Sequence, residues 1–221
     1  MEKNFKVPLF IGITFFALLA LGACAGSKTY LLDLHYDTSQ TSPFLTGQAQ
    51  PVTLAVYDLK DVRPDRLYIG RRVRQDDQVD FFKSDAGSVE QVLTQSLVHL
   101  LEKAGFRVVL VKRYLDPGQE DFKDIPAPAA LGGEIEVLWV ESKTGIATTQ
   151  TEATLRLRFH WALVKERTWL HKTIEGSASE SDRPFFRFKY AETKINEVFQ
   201  DGLDKLLKDE PMLKSKLLPN P

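Results

Sequence analysis

Residues 149–163 constrain the fold of this chain more than any other segment, because apolar and polar side chains alternate along the whole stretch. Leu155 belongs to the apolar series, whereas Arg156, Arg158 and His160 belong to the polar one. Successive side chains of a strand point to opposite faces of its sheet. The segment therefore predicts a long strand with one buried face and one solvated face, and the two arginines and the histidine lie on the solvated face.

Other strands follow from β-branched and aromatic runs. A polar turn after residue 164 leads into a return strand at 168–178, which predicts an antiparallel hairpin. Strands are also predicted at 52–57, 106–111 and 131–140. Residues 59–86 are too long for a simple connection, so this segment is either a functional loop or contains unrecognised strands, of which 78–82 is a candidate.

Two amphipathic helices complete the pattern. Ser88 and Gln91 form a capping-box motif at the start of the first helix, and Gly105 supplies a left-handed stop. The second helix is predicted at 190–207, before Pro211. These elements predict an α+β fold in which two helices pack on one face of a mainly antiparallel sheet. The second sheet face is then solvated or covered by a partner.

The N-terminus is typical of an export signal. Lys3 and Lys6 precede an apolar run at residues 7–21, which is shorter than the roughly 20 residues that span a bilayer. The only cysteine of the chain stands directly after this run. The run closes with Leu21, Gly22, Ala23 and Cys24.

These four residues resemble the lipobox of bacterial lipoproteins. The resemblance implies removal of residues 1–23, transfer of a diacylglyceryl group to the sulfur of Cys24, and N-acylation of the new amino terminus. Two or more acyl chains hold a protein stably at a membrane, whereas one does not. Ala25, where Asp would retain an enterobacterial lipoprotein, implies the outer membrane, with the domain facing the periplasm. An ordinary cleaved signal and an uncleaved helix with a buried thiol are the alternatives.

The remaining chain predicts one domain at 51–210, preceded at 24–50 by the lipidated cysteine and a flexible tether that docks near Tyr30, and followed by a tail at 211–221. Without Glu2, Lys3 and Lys6, the 29 basic and 30 acidic residues become 27 and 29. This near-neutral balance argues against nucleic-acid binding.

Three short motifs carry a second resemblance. A strand, then Asp61-Val62-Arg63, then Ile69-Gly70 and a helix ending in Gly105-Phe106 resemble the YajG-like group of bacterial lipoproteins, over residues 51–207. The chain is more distantly similar to the lipopolysaccharide-assembly lipoprotein and to auxiliary lipoproteins of lipid-exporting ABC systems. These groups imply an adaptor role in the cell envelope and no catalysis.

Catalytic and metal-binding patterns are not found in the sequence. Gly132-Gly133 lacks the spacing and the lysine of a phosphate loop, and a strand bend or bulge explains it. The four histidines lack zinc-ligand spacing, although His160 and His171 can approach each other across the hairpin. No serine stands in a nucleophile elbow. We therefore expect no enzyme, no metal and no cofactor beyond the acyl groups on Cys24.

Two basic segments are candidate binding sites. Arg71, Arg72 and Arg74 can bind phosphate groups at a membrane surface, or they form a solvated charged loop that pairs with Asp76, Asp77 and Asp80. The second segment either contacts lipid headgroups or a protein, or fixes the last helix on the sheet. Its candidate residues are Phe185, Phe186 and Arg187.

Two functions follow as predictions. The first is a non-catalytic, lipid-anchored adaptor that binds an envelope protein or a lipid-transport component. The alternative is a lipid- or glycolipid-binding module of an envelope transport pathway, in which the aromatic and basic residues near Phe185 and Arg187 receive an acyl chain and a phosphate.

Overall fold

A long central strand organises the sheet. The computed structural model describes residues 26–40, 51–183 and 185–208. Nine strands and two helices are found there, with 3-10 turns at Thr38–Gln40 and Phe122–Asp124. In chain order they are β1 (Thr29–Leu32), β2 (Thr53–Tyr57), β3 (Lys60–Asp61), β4 (Gly70–Val73), β5 (Val79–Ser84), α1 (Val89–Lys103), β6 (Arg107–Val111), β7 (Ala129–Thr144), β8 (Thr149–Leu163), β9 (Thr168–Arg183) and α2 (Phe188–Leu207).

The antiparallel half of the sheet is the meander β7–β8–β9. β8 has the bounds that its alternation predicts, and β9 continues beyond the predicted end at residue 178. Leu155 and Phe159 are buried on the helix side, whereas Arg156 and Arg158 are exposed on the other. These long pairings confirm the prediction of an α+β fold with a mainly antiparallel sheet.

The prediction of a solvated face is wrong for His160, which is 9% exposed. Part of this face is covered by the chain itself, because the segment between β6 and β7 folds back over it. Leu115 and Ile125 from that segment pack with Tyr57 and Ala162 in a small second core. Alternation predicts which side chains share a face, but not which part of the chain covers that face.

The parallel half of the sheet lies on the other edge of β7. β2, β3 and β4 pair with β7 one after another along its length. β6 flanks β2, and β5 and β1 flank β4. The segment 59–86 therefore contains three strands, and the candidate strand at 78–82 corresponds to β5.

Both helices pack on one face of the sheet, as predicted, because their apolar sides belong to the same core cluster. At the end of α1, Gly105 has φ +101°. The N–H groups of Gly105 and Phe106 donate to the carbonyls of Glu102 and Leu101, which is the Schellman pattern. The predicted capping box is not formed, because the Ser88 side chain makes no capping hydrogen bond and only its carbonyl accepts, from the Val92 N–H.

The segment before residue 40 lies against the domain over most of its described length. β1 pairs in parallel with β5. The chain then follows α2, where the Tyr36 hydroxyl donates to Asp204 over 2.6 Å and the Asp37 N–H donates to Gln200 over 2.9 Å. Docking near Tyr30 is thus the beginning of a longer contact between the predicted tether and the domain.

The Asp61-Val62-Arg63 motif forms a buried ion pair. The Arg63 Nε and Nη2 atoms donate to the two carboxylate oxygens of Asp61 over 2.9 and 2.8 Å. Nη1 donates to the carbonyls of Tyr68 and Leu138, which lie in the β3–β4 connection and in β7. Because both side chains are almost fully buried, the motif holds these segments together and is not available to a partner.

Substitution of Gly70 tests the close contact between β4 and β7. A Cβ atom at Gly70 would lie 2.1 Å from the carbonyl oxygen of Val140, which is backbone and cannot move independently of the sheet. We expect Gly70→Ala to lower the free energy of unfolding by about 2 kcal/mol, through overpacking. Urea unfolding of the detergent-solubilised protein, followed by tryptophan fluorescence, measures the change. Gly26→Ala is the control, since nothing lies within 4 Å of its Cβ position; equal stability of the two variants would contradict the predicted clash.

Candidate interaction surfaces

The three candidate arginines do not form a loop. Arg71 and Arg72 belong to β4, and Arg74 follows its end. Arg71 is exposed and pairs with Glu141 over 2.7 Å, on β7. Arg72 and Arg74 are largely buried and face Asp80, at 3.6 and 2.5 Å. The prediction that the arginines pair with aspartates therefore applies to Arg72 and Arg74. Of the three, only Arg71 presents its charge to the surface, where it could meet a phosphate group.

Asp80 is the centre of this cluster. It lies on β5 with its side chain 1% exposed, and it also accepts from the Lys28 N–H over 2.9 Å. Burial by itself would raise the pKa of Asp80, but hydrogen bonds from Arg74 and Lys28, with the charges of Arg74 and Arg72, hold it below the usual value. The carboxylate is therefore ionised in the folded protein and joins β5, β4 and the chain before β1.

The residues of the second candidate segment also differ in exposure. Phe185 is 76% exposed, and Arg187 is also exposed. Phe186 points inward, where its ring packs 6.0 Å from Phe82 and lies 4.2 Å below the guanidinium of Arg72. The interpretation that this segment fixes the last helix on the sheet thus describes Phe186, whereas the flanking residues stay accessible.

The exposed part of the outer sheet face carries a ladder of ion pairs. Arg158 pairs with Glu136 and lies 3.9 Å from Glu134. Arg156 pairs with Glu175 of β9 over 2.7 Å. Both arginines are about half exposed. Such exposed pairs contribute little to stability. The ladder joins two arginines to three glutamates, so these residues form a polar surface with mixed charges.

His160 and His171 meet across the hairpin, as predicted. Their Nδ1 atoms are 2.7 Å apart, so one ring donates and the other accepts. Burial lowers the pKa of His160, and the neighbouring His171 lowers it further. Within the described residues, no group of three or more His, Cys, Asp or Glu is arranged to hold a metal ion.

An open groove of about 630 Å³ lies between the hairpin and α2. Its charged residues neutralise one another: Lys205 pairs with Asp201 over 2.5 Å, and Arg156 with Glu175 over 2.7 Å. Lys205 also donates to the Glu175 carbonyl. The remaining lining residues are Val137, Thr154, Leu155, Gly176 and Ser177.

A row of small hydroxyl side chains continues from this groove along β9. Ser177, Ser179 and Ser181 are exposed, whereas Ala178 between them packs towards the core. We call these three residues the serine row. The predicted return strand ends at residue 178, so two of the three serines lay outside it. The alternation of serines beyond residue 178 is the signal that could have extended the predicted strand.

The predicted lipid-attachment residues Leu21, Gly22, Ala23 and Cys24 lie outside the described residues. No helix in the described part of the chain has the length and apolar character needed to cross a membrane.

Comparisons with known proteins relate this chain to others by fold. The sequence matches no protein-family model and no curated protein. A Xanthomonas campestris protein of family DUF330 has 9% identity and a TM-score of 0.51, with 85% of this chain and 99% of that chain covered. A putative neuraminyllactose-binding hemagglutinin homolog from Helicobacter pylori has 13% identity and a TM-score of 0.47, with coverage of 83% and 95%. A lipoprotein from Neisseria meningitidis has 12% identity and a TM-score of 0.31, with coverage of 68% and 97%.

At this identity, the similarity to the DUF330 protein shows a shared fold and nothing about activity. Membership of the YajG-like group stays a prediction.

Asp80 generates a prediction about stability and its pH dependence. Asp80→Asn leaves Arg72 and Arg74 without their buried anion, and we expect a loss of about 3 kcal/mol in the free energy of unfolding at pH 7. Because the folded-state pKa of Asp80 lies below its unfolded value, its contribution is present above about pH 4 and is lost as the pH falls through the folded pKa. Urea unfolding at several pH values measures both effects.

Between pH 5 and pH 3, we expect the free energy of unfolding to decrease less in Asp80→Asn than in the wild type. The variant lacks one carboxylate that takes up a proton more readily in the unfolded state than in the folded state. Asp76→Asn is the matched control, because Asp76 is an exposed neighbour. If Asp76→Asn and Asp80→Asn gave the same stability and the same pH dependence, Asp80 would not be the centre of the cluster.

Proposed function

We propose that this protein is a non-catalytic, lipid-anchored adaptor at the periplasmic face of a bacterial outer membrane, and that it binds an envelope partner along β9. One observation carries the proposal: β9 is a 16-residue strand that pairs only with β8 among the described strands, and it carries the exposed serine row. The second edge of β9 therefore offers backbone groups that no described strand takes up.

Edge strands of this kind are recognition sites in other proteins. A free edge can accept an extended segment of a partner, which adds a strand through main-chain hydrogen bonds. Proteins often protect an edge with lysine, proline or a short strand length. Here Lys205 donates to the carbonyl of Glu175 and Lys194 lies 3.9 Å from Glu180, whereas the three exposed serines between and beyond them have only small hydroxyl side chains. The serine row is thus the least protected part of the edge.

The groove beside this edge supports a binding role and not a catalytic one. General acids and bases need a titratable group that can exchange a proton with a substrate near the operating pH. The charged residues of the groove instead form pairs with one another. A partner that lies across the groove meets a neutral polar surface, which suits reversible protein binding.

The anchor rests on the sequence. Cys24 ends an apolar segment with the order Leu-Gly-Ala-Cys, and the first described strand begins five residues later. Such a short connection keeps the domain close to the bilayer that the acyl chains enter, where an adaptor acts on membrane-bound partners.

The first test is removal of the acylated sulfur. We expect Cys24→Ser to move the protein from the membrane fraction to the soluble fraction, because two or more acyl chains are needed for stable attachment. Fractionation of expressing bacteria measures this. The wild-type protein and Ser27→Ala, an exposed neighbour on the described chain, are the controls. A processed Cys24→Ser protein that stays tightly bound to the membrane would contradict the anchor.

The second test concerns the serine row. We expect Ser179→Arg to weaken partner binding about tenfold, because a large charged side chain in the centre of an interface costs about 1.4 kcal/mol or more. Crosslinking in intact cells, followed by affinity capture of the acylated protein, measures the yield of each crosslinked complex.

Gln119→Arg is the matched control, since it places the same charge on an exposed loop residue away from β9. Unfolding of both variants is measured in parallel, to show that the domain is intact. Equal yields of complex for Ser179→Arg, Gln119→Arg and the wild type would remove β9 as the binding surface. Arg72→Glu is not suitable for this purpose, because it breaks the buried contacts with Asp80 and Phe186.

A further inference from the structure

The two most exposed large apolar residues of the described chain are Ile146, at 92%, and Phe185, at 76%. Ile146 stands at the tip of the turn between β7 and β8, in which the Gly145 N–H donates to the Thr148 carbonyl over 2.8 Å. Phe185 follows the end of β9. Single exposed apolar side chains are common on protein surfaces, so the significance of these two depends on where they lie relative to each other and to the N-terminus.

Both residues lie at the same end of the sheet. Thr144 of β7 pairs with Thr149 of β8, and Thr149 pairs with Arg183 of β9. Neighbouring strands are about 4.8 Å apart, so the ends of β7 and β9 are separated by about 10 Å. The turn with Ile146 and the segment with Phe185 extend from these two ends.

The N-terminal segment enters the domain at this end as well. The carbonyl of Gly26 accepts from Arg74 over 3.2 Å, and the Lys28 N–H donates to Asp80. Asp80 also faces Arg72, whose Nε atom donates to the Thr144 hydroxyl over 3.2 Å. A continuous set of hydrogen bonds and ion pairs thus links the first described residue to Thr144, the last residue of β7 before the turn that carries Ile146.

The guanidinium of Arg72 also covers the ring of Phe186, which directly follows Phe185. The same cluster therefore fixes both apolar positions relative to the point where the chain enters the domain. Cys24 stands two residues before Gly26, and two residues of extended chain span at most about 7 Å. An acylated Cys24 holds this end of the sheet at the membrane surface.

We propose that Ile146 and Phe185 insert into the bilayer beside the lipid anchor, so that this end of the sheet contacts the membrane surface. The inference rests on the proposed anchor at Cys24 and adds a second, non-covalent contact to it. Apolar and aromatic side chains insert at the boundary of headgroups and acyl chains. The exposed cations Lys143 and Arg187 lie beside the two positions. Lys143 pairs with Glu141 over 2.9 Å, and Asp76 and Asp77 lie in the nearby β4–β5 turn, so the apolar side chains and not a net positive charge carry the contact.

This orientation defines the far end of the molecule. β8 has 15 residues, which at about 3.3 Å per residue extend about 50 Å from the membrane-proximal turn. Glu166, in the turn between β8 and β9, is exposed at that far end. It supplies the control position for a measurement of depth.

The test uses the full-length acylated protein in vesicles of phosphatidylethanolamine and phosphatidylglycerol. Because Cys24 is the only natural cysteine and its sulfur is acylated, Ile146→Cys, Phe185→Cys and Glu166→Cys each provide one reactive thiol. Each variant is labelled with a polarity-sensitive fluorophore. We expect a blue shift and loss of emission in the presence of nitroxide-labelled phospholipid at positions 146 and 185, and neither effect at position 166.

The other outcomes separate the docking from the anchor. Vesicle-bound protein with no quenching at positions 146 and 185 would overturn the docking and leave the anchor intact. Equal quenching at all three positions would overturn the end-on orientation. Protein that stays in solution with a maleimide-reactive Cys24 would overturn the anchor and the docking together.

Discussion

Backbone pairing along β7 is the constraint on which the other strands depend. One edge of β7 pairs with β8 over nearly its whole length, and the other edge accepts β2, β3 and β4 in succession. Gly133 permits this arrangement, since a Cβ atom there would lie 2.3 Å from the carbonyl oxygen of Arg158. The register of the β7–β8 pairing shifts between Ile135 and Val137, so Glu136 has no directly paired residue on β8. Its carboxylate lies beside Arg156 and Arg158 on the outer face of the sheet. One strand thereby joins an antiparallel meander to a parallel layer.

Two charge clusters attach the shorter strands to this frame. Asp61 and Arg63 connect β3 and the following segment to β7, and Asp80 gathers Arg72, Arg74 and the chain before β1. Buried ion pairs are costly to break because the remaining charge loses its partner. Arg63, Arg72 and Arg74, whose chemistry suggests ligand binding, therefore hold the fold together. The proposed contacts instead use the edge of β9 and the end of the sheet.

The proposed adaptor surface and the proposed membrane contact belong to one geometry. Ser181 lies within two residues of the end of β9, so the serine row begins close to the end that carries Ile146 and Phe185. A partner that adds a strand there would be held close to the bilayer. In the proposed orientation, the β8–β9 turn at the opposite end extends away from the membrane.

Local sequence patterns were sufficient to predict the elements with strong periodicity: the alternation of β8, the apolar stripes of the two helices, the left-handed stop at Gly105 and the α+β class. These follow from local rules, since a side chain's face depends on its position along a strand or helix. Three features required long-range contacts: Leu115 and Ile125 cover Ala162 on the outer face of β8, Phe186 turns inward beneath Arg72, and Arg74 bonds to Asp80. Each of these depends on contacts between segments whose relative positions are set by the pairing of β7, and no local pattern contains that information.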